Sequence, residues 1–172
     1  MDEMNKKLFD NIQNSISETI PKKKIGIAFS GGVDSTLISK ICSDMNYDII
    51  LLTIGFPDSH DILFAKEVNE FLKYSHHTLE IDSDTFSTVS SKIKQTIKTD
   101  NLSWNENCIA FHYVSKLANN LDLDTVVTAN GIDELFCGYN AYREAFSGGD
   151  SQINEVMNSK LDNELKMMSA VN

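Results

Sequence analysis

The stretch from Ile25 through Phe29 to Ser30-Gly31-Gly32-Val33-Asp34-Ser35-Thr36 constrains this chain more than any other. Its apolar run, Ile25-Gly26-Ile27-Ala28-Phe29, reads as a buried strand, and Leu37, Ile38, Ile41 and Cys42 then recur at helical spacing. The glycine pair therefore occupies a strand-to-helix turn, where the first amides of the helix and the positive end of its dipole converge on an anion. Adjacent glycines allow positive φ and leave no Cβ between those amides and a phosphate, while Ser30, Ser35 and Thr36 add hydroxyl groups. A glycine pair alone could be a tight turn with Asp34 and Ser35 as helix caps. The complete string in its strand-loop-helix context favours a phosphate loop. Asp34 would repel phosphate unless a divalent cation lay between them, so it is expected to bind Mg²⁺. The lysine of a G-x-x-x-x-G-K-S/T loop is missing, which disfavours γ-phosphoryl transfer and points to attack at the α-phosphate.

Strand and helix patterns alternate along the rest of the chain. Met4, Leu8, Phe9, Ile12 and Ile16 predict an amphipathic first helix ending before Pro21. Further strands are expected at residues 49–54, 77–81 and 125–128. A helix carrying Ile62, Phe64, Ala65, Val68, Phe71 and Leu72 follows the second strand, and two more, marked by Phe86 to Ile97 and by Ile109 to Ala118, follow the third. After Gly148-Gly149-Asp150 a last helix bears Ile153, Val156, Met157, Leu161, Leu165 and Met168. The alternation predicts an α/β fold: a three-layer, doubly wound parallel sheet with helices on both faces and right-handed crossovers. The expected divisions are an N-terminal helix at 1–21, the nucleotide domain at 22–148 and a C-terminal helix at 149–172.

Composition narrows the partners. Lysine and arginine total 15 against 25 aspartate and glutamate, a formal charge of −10 that disfavours nucleic acid. It does not exclude ATP, which a few backbone amides and one Mg²⁺ ion can hold. The 3 cysteines form no C-x-x-C pair or zinc-spaced cluster, which fits a reducing cytoplasm. The longest apolar run, Ile49-Ile50-Leu51-Leu52, is too short to span a bilayer, so no membrane partner is expected.

A second acidic motif, Ala129-Asn130-Gly131-Ile132-Asp133-Glu134-Leu135-Phe136-Cys137-Gly138-Tyr139, follows the fourth predicted strand. Alone, Asp133-Glu134 would be read as a solvated helix start. Ligands of open parallel sheets, however, bind at the carboxyl edge where the strand order reverses, so loops after the first and fourth strands can face each other. Asp34 and Asp133 would then share one metal.

The two motifs together resemble the synthetase domain of asparagine synthetases and the related β-lactam synthetases, over roughly residues 22–145. The resemblance also takes in Thr53-Ile54-Gly55-Phe56, the 58–61 segment and the helix from Ala65. It implies a PP-loop ATP pyrophosphatase fold of the adenine nucleotide alpha hydrolase-like kind. It further implies a cytoplasmic, AMP-forming, Mg²⁺-dependent ligase of asparagine biosynthesis, in which ATP adenylates a small carboxylate such as aspartate and ammonia or an amine displaces AMP. Carried over by position, Ser30, Gly31, Gly32, Asp34, Ser35 and Thr36 contact the phosphates. Phe29, Ile54, Thr128 and Ala129 line the adenosine pocket, and Asp133 joins Asp34 at the metal.

The match departs from the family at Asn130, where the family usually has a glutamate that handles the amino-acid substrate and the incoming amine. Asparagine cannot accept that proton, so Asn130 marks either a different acceptor or a second half-reaction that uses another group. Cys137 replaces a residue that is commonly glycine. No glutaminase domain precedes residue 22, so a separate ammonia-supplying protein is expected, and a homodimer is compatible with the resemblance. The stretch from Leu161 to Lys166 resembles the start of a helix leading to further basic active-site residues, which suggests a short or truncated family member. Two rival functions stay open: a PP-loop enzyme adenylating a nucleobase carbonyl of tRNA or a purine, and a non-catalytic ATP-binding partner subunit. His60, His76, His77 and His112 lack metal-site spacing and read as structural or solvated.

Overall fold

A computed structural model describes residues 3–21 and 23–169. Met1, Asp2, Lys22 and residues 170–172, on which the ends of the expected segments fall, lie outside the described residues, as does the side chain of Met168. The chain divides into two compact units, one from Met1–Ile81 and Tyr113–Thr128, the other from Asp82–His112 and Ala129–Asn172.

The first unit holds the sheet. Its strands are β1 (Lys24–Ala28), β2 (Asp48–Gly55), β3 (Ser75–Glu80) and β4 (Val126–Val127), all parallel and ordered β3-β2-β1-β4. From β1 the chain winds outward through β2 to β3, then returns to lay β4 on the other side of β1. The strand order thus reverses between β1 and β4, the position at which parallel sheets open a ligand crevice. Ile27 pairs with Val127, so the two strands end side by side.

Both faces are covered, and strand alternation decides which residue goes where. On one face Ile25, Ile27, Ile49 and Leu51 pack with Ile16 and Ile20 from α1 (Glu3–Thr19) and its exit, Ile41 and Cys42 from α2 (Val33–Asp44), and Ala65 from α3 (His60–Leu72). On the other face Leu52, Ala28, Ile50 and Val126 pack with Val114, Leu117 and Ala118 from the second half of α5 (Leu102–Asn120). Ile25, Ile27, Leu51 and Leu52 are all 0% exposed, and burying each such side chain contributes about 1.5–3 kcal/mol.

Several boundaries differ from the sequence expectation. β3 starts at Ser75 instead of His77, because β2 offers it a continuous ladder from Ile50↔Ser75 to Gly55↔Glu80. β4 shrinks to its central valines, since an edge strand has one neighbour and only Gly26 and Ile27 of β1 are in register with it. α5 begins at Leu102, well before its apolar stripe, because the Asn101 side chain accepts the Trp104 amide at 3.1 Å and so starts the helix.

The second unit holds α4 (Ser83–Ile97), the first half of α5, and the segment after β4. Asp82 caps α4 by accepting the Thr85 amide at 3.0 Å. The acidic motif folds into two short helices, α6 (Ile132–Leu135) and α7 (Asn140–Ala145), followed by a 3-10 turn and α8 (Asp150–Ser169), which packs against α6 and α7. Among the described residues no helix is long and apolar enough to cross a membrane.

Candidate functional site

The loop after β1 is held by its own hydroxyls. Ser30 Oγ accepts the Gly32 amide at 3.2 Å, and Ser35 Oγ accepts the Ser30 amide at 3.3 Å while donating to the Gly32 carbonyl at 3.2 Å. Thr36 Oγ1 donates to the Gly31 carbonyl at 3.4 Å. Gly31 has φ +78°, and a Cβ there would lie 3.1 Å from the Ala65 main chain of α3, so glycine is needed for both conformation and space. Gly32 is the N-cap of α2 and contributes no side-chain cap. The first-turn amides of α2 have no partner within their own helix, and the missing Cβ of Gly31 lets the loop pack closely against Ala65 and Phe64 of α3. This cradle fits a phosphate. Asp34 lies in that first turn, half-buried, and presents a hard carboxylate oxygen suited to Mg²⁺.

Of the other residues assigned to the nucleotide, Phe29, Ile54 and Thr128 stand at the carboxyl ends of β1, β2 and β4 in the same unit. The Phe29 side chain is 3% exposed and belongs to the core, edge-on to His76 with ring centroids 5.8 Å apart. The Phe29 main chain is held at the strand end, the amide donating to the Leu52 carbonyl at 2.9 Å. Ile54 and Thr128 are half-buried.

Ala129, Asn130 and Asp133 belong to the second unit. There Ala129, Asn130, Gly131, Asp133, Glu134 and Tyr139, together with Ser103 and Asn107 of α5, line a polar cavity of about 270 Å³. Asp133 is exposed in the first turn of α6. The Asp133 carboxylate lies against Gly138, in the space a Cβ there would take. Glu134 is only 4% exposed and accepts the Tyr139 hydroxyl at 2.6 Å, while its carbonyl accepts the Tyr142 hydroxyl at 3.0 Å. Burial first, then that hydrogen bond and the carboxylates of Glu134, Asp133 and Glu164, push the Tyr139 hydroxyl above its ordinary pKa, so it stays a proton donor.

Sequence reasoning gave no role to Ser103, Asn107, Glu134 or Tyr139 of this cavity, nor to the carboxylate that Asn130 contacts. Asn130 Nδ2 donates to Glu164 Oε1 at 2.9 Å, so a carboxylate of α8 stands beside Asn130. Burial first, with the neighbouring Glu134 charge, raises the Glu164 pKa, and the Asn130 hydrogen bond opposes the rise. Glu164 lies 34 positions from Asn130, and the resemblance of the stretch from Leu161 to Lys166 to a family helix was the signal that could have found it. Tyr139 and Glu134 stood within the motif but were given no role.

Cys137 has φ +59°, in the left-handed region. That is the physical reason a glycine suits the position. Cys137→Gly is expected to raise stability by up to about 1 kcal/mol, the relief of left-handed strain less the added freedom of the unfolded chain. Urea unfolding of the two proteins measures the difference, and an unchanged or lower midpoint contradicts it.

A sequence model of the family Asparagine synthase matches residues 10–171. A protein of Methanocaldococcus jannaschii named as an asparagine synthetase (glutamine-hydrolyzing) is 32% identical over 116 residues, covering 67% of this chain and 21% of that protein. The asparagine synthetase (glutamine-hydrolyzing) of Bos taurus is 26% identical over 145 residues, covering 80% of this chain and 26% of its own length. The chain thus spans only 21% and 26% of the lengths of these relatives. Among solved structures, the NH3-dependent NAD synthetase of Campylobacter jejuni superposes with a TM-score of 0.53 at 21% identity, over 81% of this chain and 62% of that one, a likeness of fold. The parallel sheet with both faces covered is the adenine nucleotide alpha hydrolase-like, PP-loop fold. With that fold, and with the family's sequence pattern running through the phosphate loop and the acidic motif alike, this chain belongs to the asparagine synthase family.

Proposed function

We propose that this chain carries an ATP-dependent ligase site that adenylates a small carboxylate, such as aspartate, releases pyrophosphate, and passes the acyl group to ammonia or an amine. The observation that supports it best is the open N-terminus of α2 behind Gly31 and Gly32, at the edge where the strand order reverses, with Asp34 in the first turn. Ser30, Gly31, Gly32, Ser35 and Thr36 cradle the pyrophosphate portion of ATP, and Phe29, Ile54, Thr128 and Ala129 line the adenosine pocket. Asp34 would hold Mg²⁺ in the first unit, and Asp133 is the carboxylate the second unit would offer it. Among the described residues no group of three or more histidine, cysteine, aspartate or glutamate side chains converges as a metal site. When bound, Mg²⁺ neutralises charge on the departing pyrophosphate.

In the second step the amine nitrogen attacks the acyl carbon, AMP leaves, and the surplus ammonium proton passes to Glu164, oriented by Asn130. A glutamate whose pKa is raised is a better acceptor for that proton than an ordinary carboxylate. The nitrogen donor in this reading is ammonia supplied by a separate protein or part, and the reaction is placed in the cytoplasm.

The test is isotopic exchange between pyrophosphate and ATP across candidate acids. Exchange that depends on an amino acid supports the ligase. Exchange that depends on RNA supports nucleobase adenylation, and tight ATP binding without exchange supports a non-catalytic partner subunit; either result overturns the proposal.

A further inference from the structure

We infer that His76 is a positioning residue for the phosphate loop, acting through Thr53 on the single peptide that joins Phe29 to Ser30; the inference rests on the ATP reading for the loop's role. The Phe29 carbonyl, which can only accept, takes the Thr53 hydroxyl at 2.6 Å. That uses the one proton Thr53 has. Its contact with His76 Nε2 at 2.8 Å therefore requires the ring nitrogen to donate. The other side of the same peptide, the Ser30 N–H, donates to Ser35 Oγ at 3.3 Å. A planar peptide gripped at both oxygen and nitrogen cannot turn about its flanking bonds without losing a hydrogen bond.

The consequence lies one residue further on. Gly31 follows directly with φ +78°, and Gly32 caps α2, so the tilt of the 29–30 peptide sets the direction in which the cradle amides point. Thr53 is 2% exposed, and the His76 ring is half-buried against the edge of Phe29. Water competes poorly for such links, and they polarise one another along the chain. Burial first, then the charges of Lys66 and His77, hold the His76 pKa below its ordinary value, so the ring is neutral at pH 7. From the second position of β3, His76 thus reaches β2 through Thr53 and the end of β1 through the Phe29 ring.

Four variants of the full chain test this: Thr53→Val and His76→Phe, which remove the hydroxyl and the ring donor, and Thr53→Ser and His76→Gln, which retain a group able to serve. Two quantities are read, Mg²⁺-ATP affinity by calorimetry and the amide chemical shifts of Ser30 and Gly32 in the nucleotide-free protein. Thr53→Val and His76→Phe are expected to weaken Mg²⁺-ATP binding roughly tenfold, the cost of leaving the buried Phe29 carbonyl or the Thr53 hydroxyl oxygen without its donor, and to displace both amide resonances. Thr53→Ser and His76→Gln stay within about threefold of wild type, as a conserved hydrogen bond allows. Folded Thr53→Val with native affinity and unmoved amides overturns the inference. So do conservative variants as impaired as the disruptive ones, because that pattern belongs to a merely structural role. If Thr53→Val does not fold, the His76 pair decides alone. If wild type binds no Mg²⁺-ATP, the functional proposal falls, while the amide shifts still decide this one.

Discussion

Asp34→Asn is expected to weaken Mg²⁺-dependent ATP binding by at least about 100-fold, roughly 2.7 kcal/mol, and to abolish pyrophosphate exchange. The argument follows from charge. Asp34 sits in the first turn of α2, where the helix dipole and open amides already favour an anion. With magnesium the carboxylate is a ligand, and without magnesium it repels the nucleotide. Calorimetry in the presence of a chelator should therefore show the opposite sign: Asp34→Asn binds free ATP as well as wild type or better. The fold should lose only about 0.3–1 kcal/mol, the usual contribution of a negative charge at a helix N-terminus. Undiminished binding with magnesium removes Asp34 from the metal site.

Glu164→Gln is expected to uncouple the two half-reactions. Glutamine still accepts the Asn130 amide, so the cavity keeps its shape, yet it cannot take a proton. Amide formation should fall by about 10²–10⁴, the usual contribution of a positioned acid or base, while pyrophosphate exchange stays near wild type. Stability should move the other way. The folded pKa of Glu164 is raised, so between the unfolded and folded values the native state binds more protons than the unfolded state, and wild-type stability falls as pH rises through that window. At neutral pH the native protein carries a charge its surroundings disfavour, and Glu164→Gln removes it. Thermal melts from pH 4 to 8 should show the variant melting higher at neutral pH, with the difference shrinking toward acid. A variant that loses exchange and amide formation alike, or that melts lower at pH 7, contradicts the role given to Glu164.

The site divides between what local pattern reveals and what contact alone reveals. Gly31 and Gly32 were readable because their chemistry is a matter of consecutive residues. A strand, a turn that no Cβ can enter and a helix start must follow in order, and sequence records order. The bounds of β3 and β4 were not readable, because a strand's length depends on the neighbour that pairs with it, and no property of residues 75–80 or 125–128 states what β2 and β1 present. Short α6 and α7 escaped notice too, as helices of this length carry no full apolar repeat.

Asn130 shows the division most clearly. Taken as a residue type, it is a lost carboxylate; taken with its partner, it is the donor that orients Glu164. His76 has the same lesson: a histidine without metal spacing reads as bland, and only its contact with Thr53 connects it to the loop. The sequence by itself determined the strand-loop-helix cradle, the alternation that makes a parallel sheet covered on both faces, and the family, because each is written in the spacing of neighbouring residues. Tertiary structure alone decided which distant side chains complete that frame, because hydrogen bonds from Asn130 to Glu164 and from His76 to Thr53 arise when the backbone folds back on itself, and chain separation carries no trace of them.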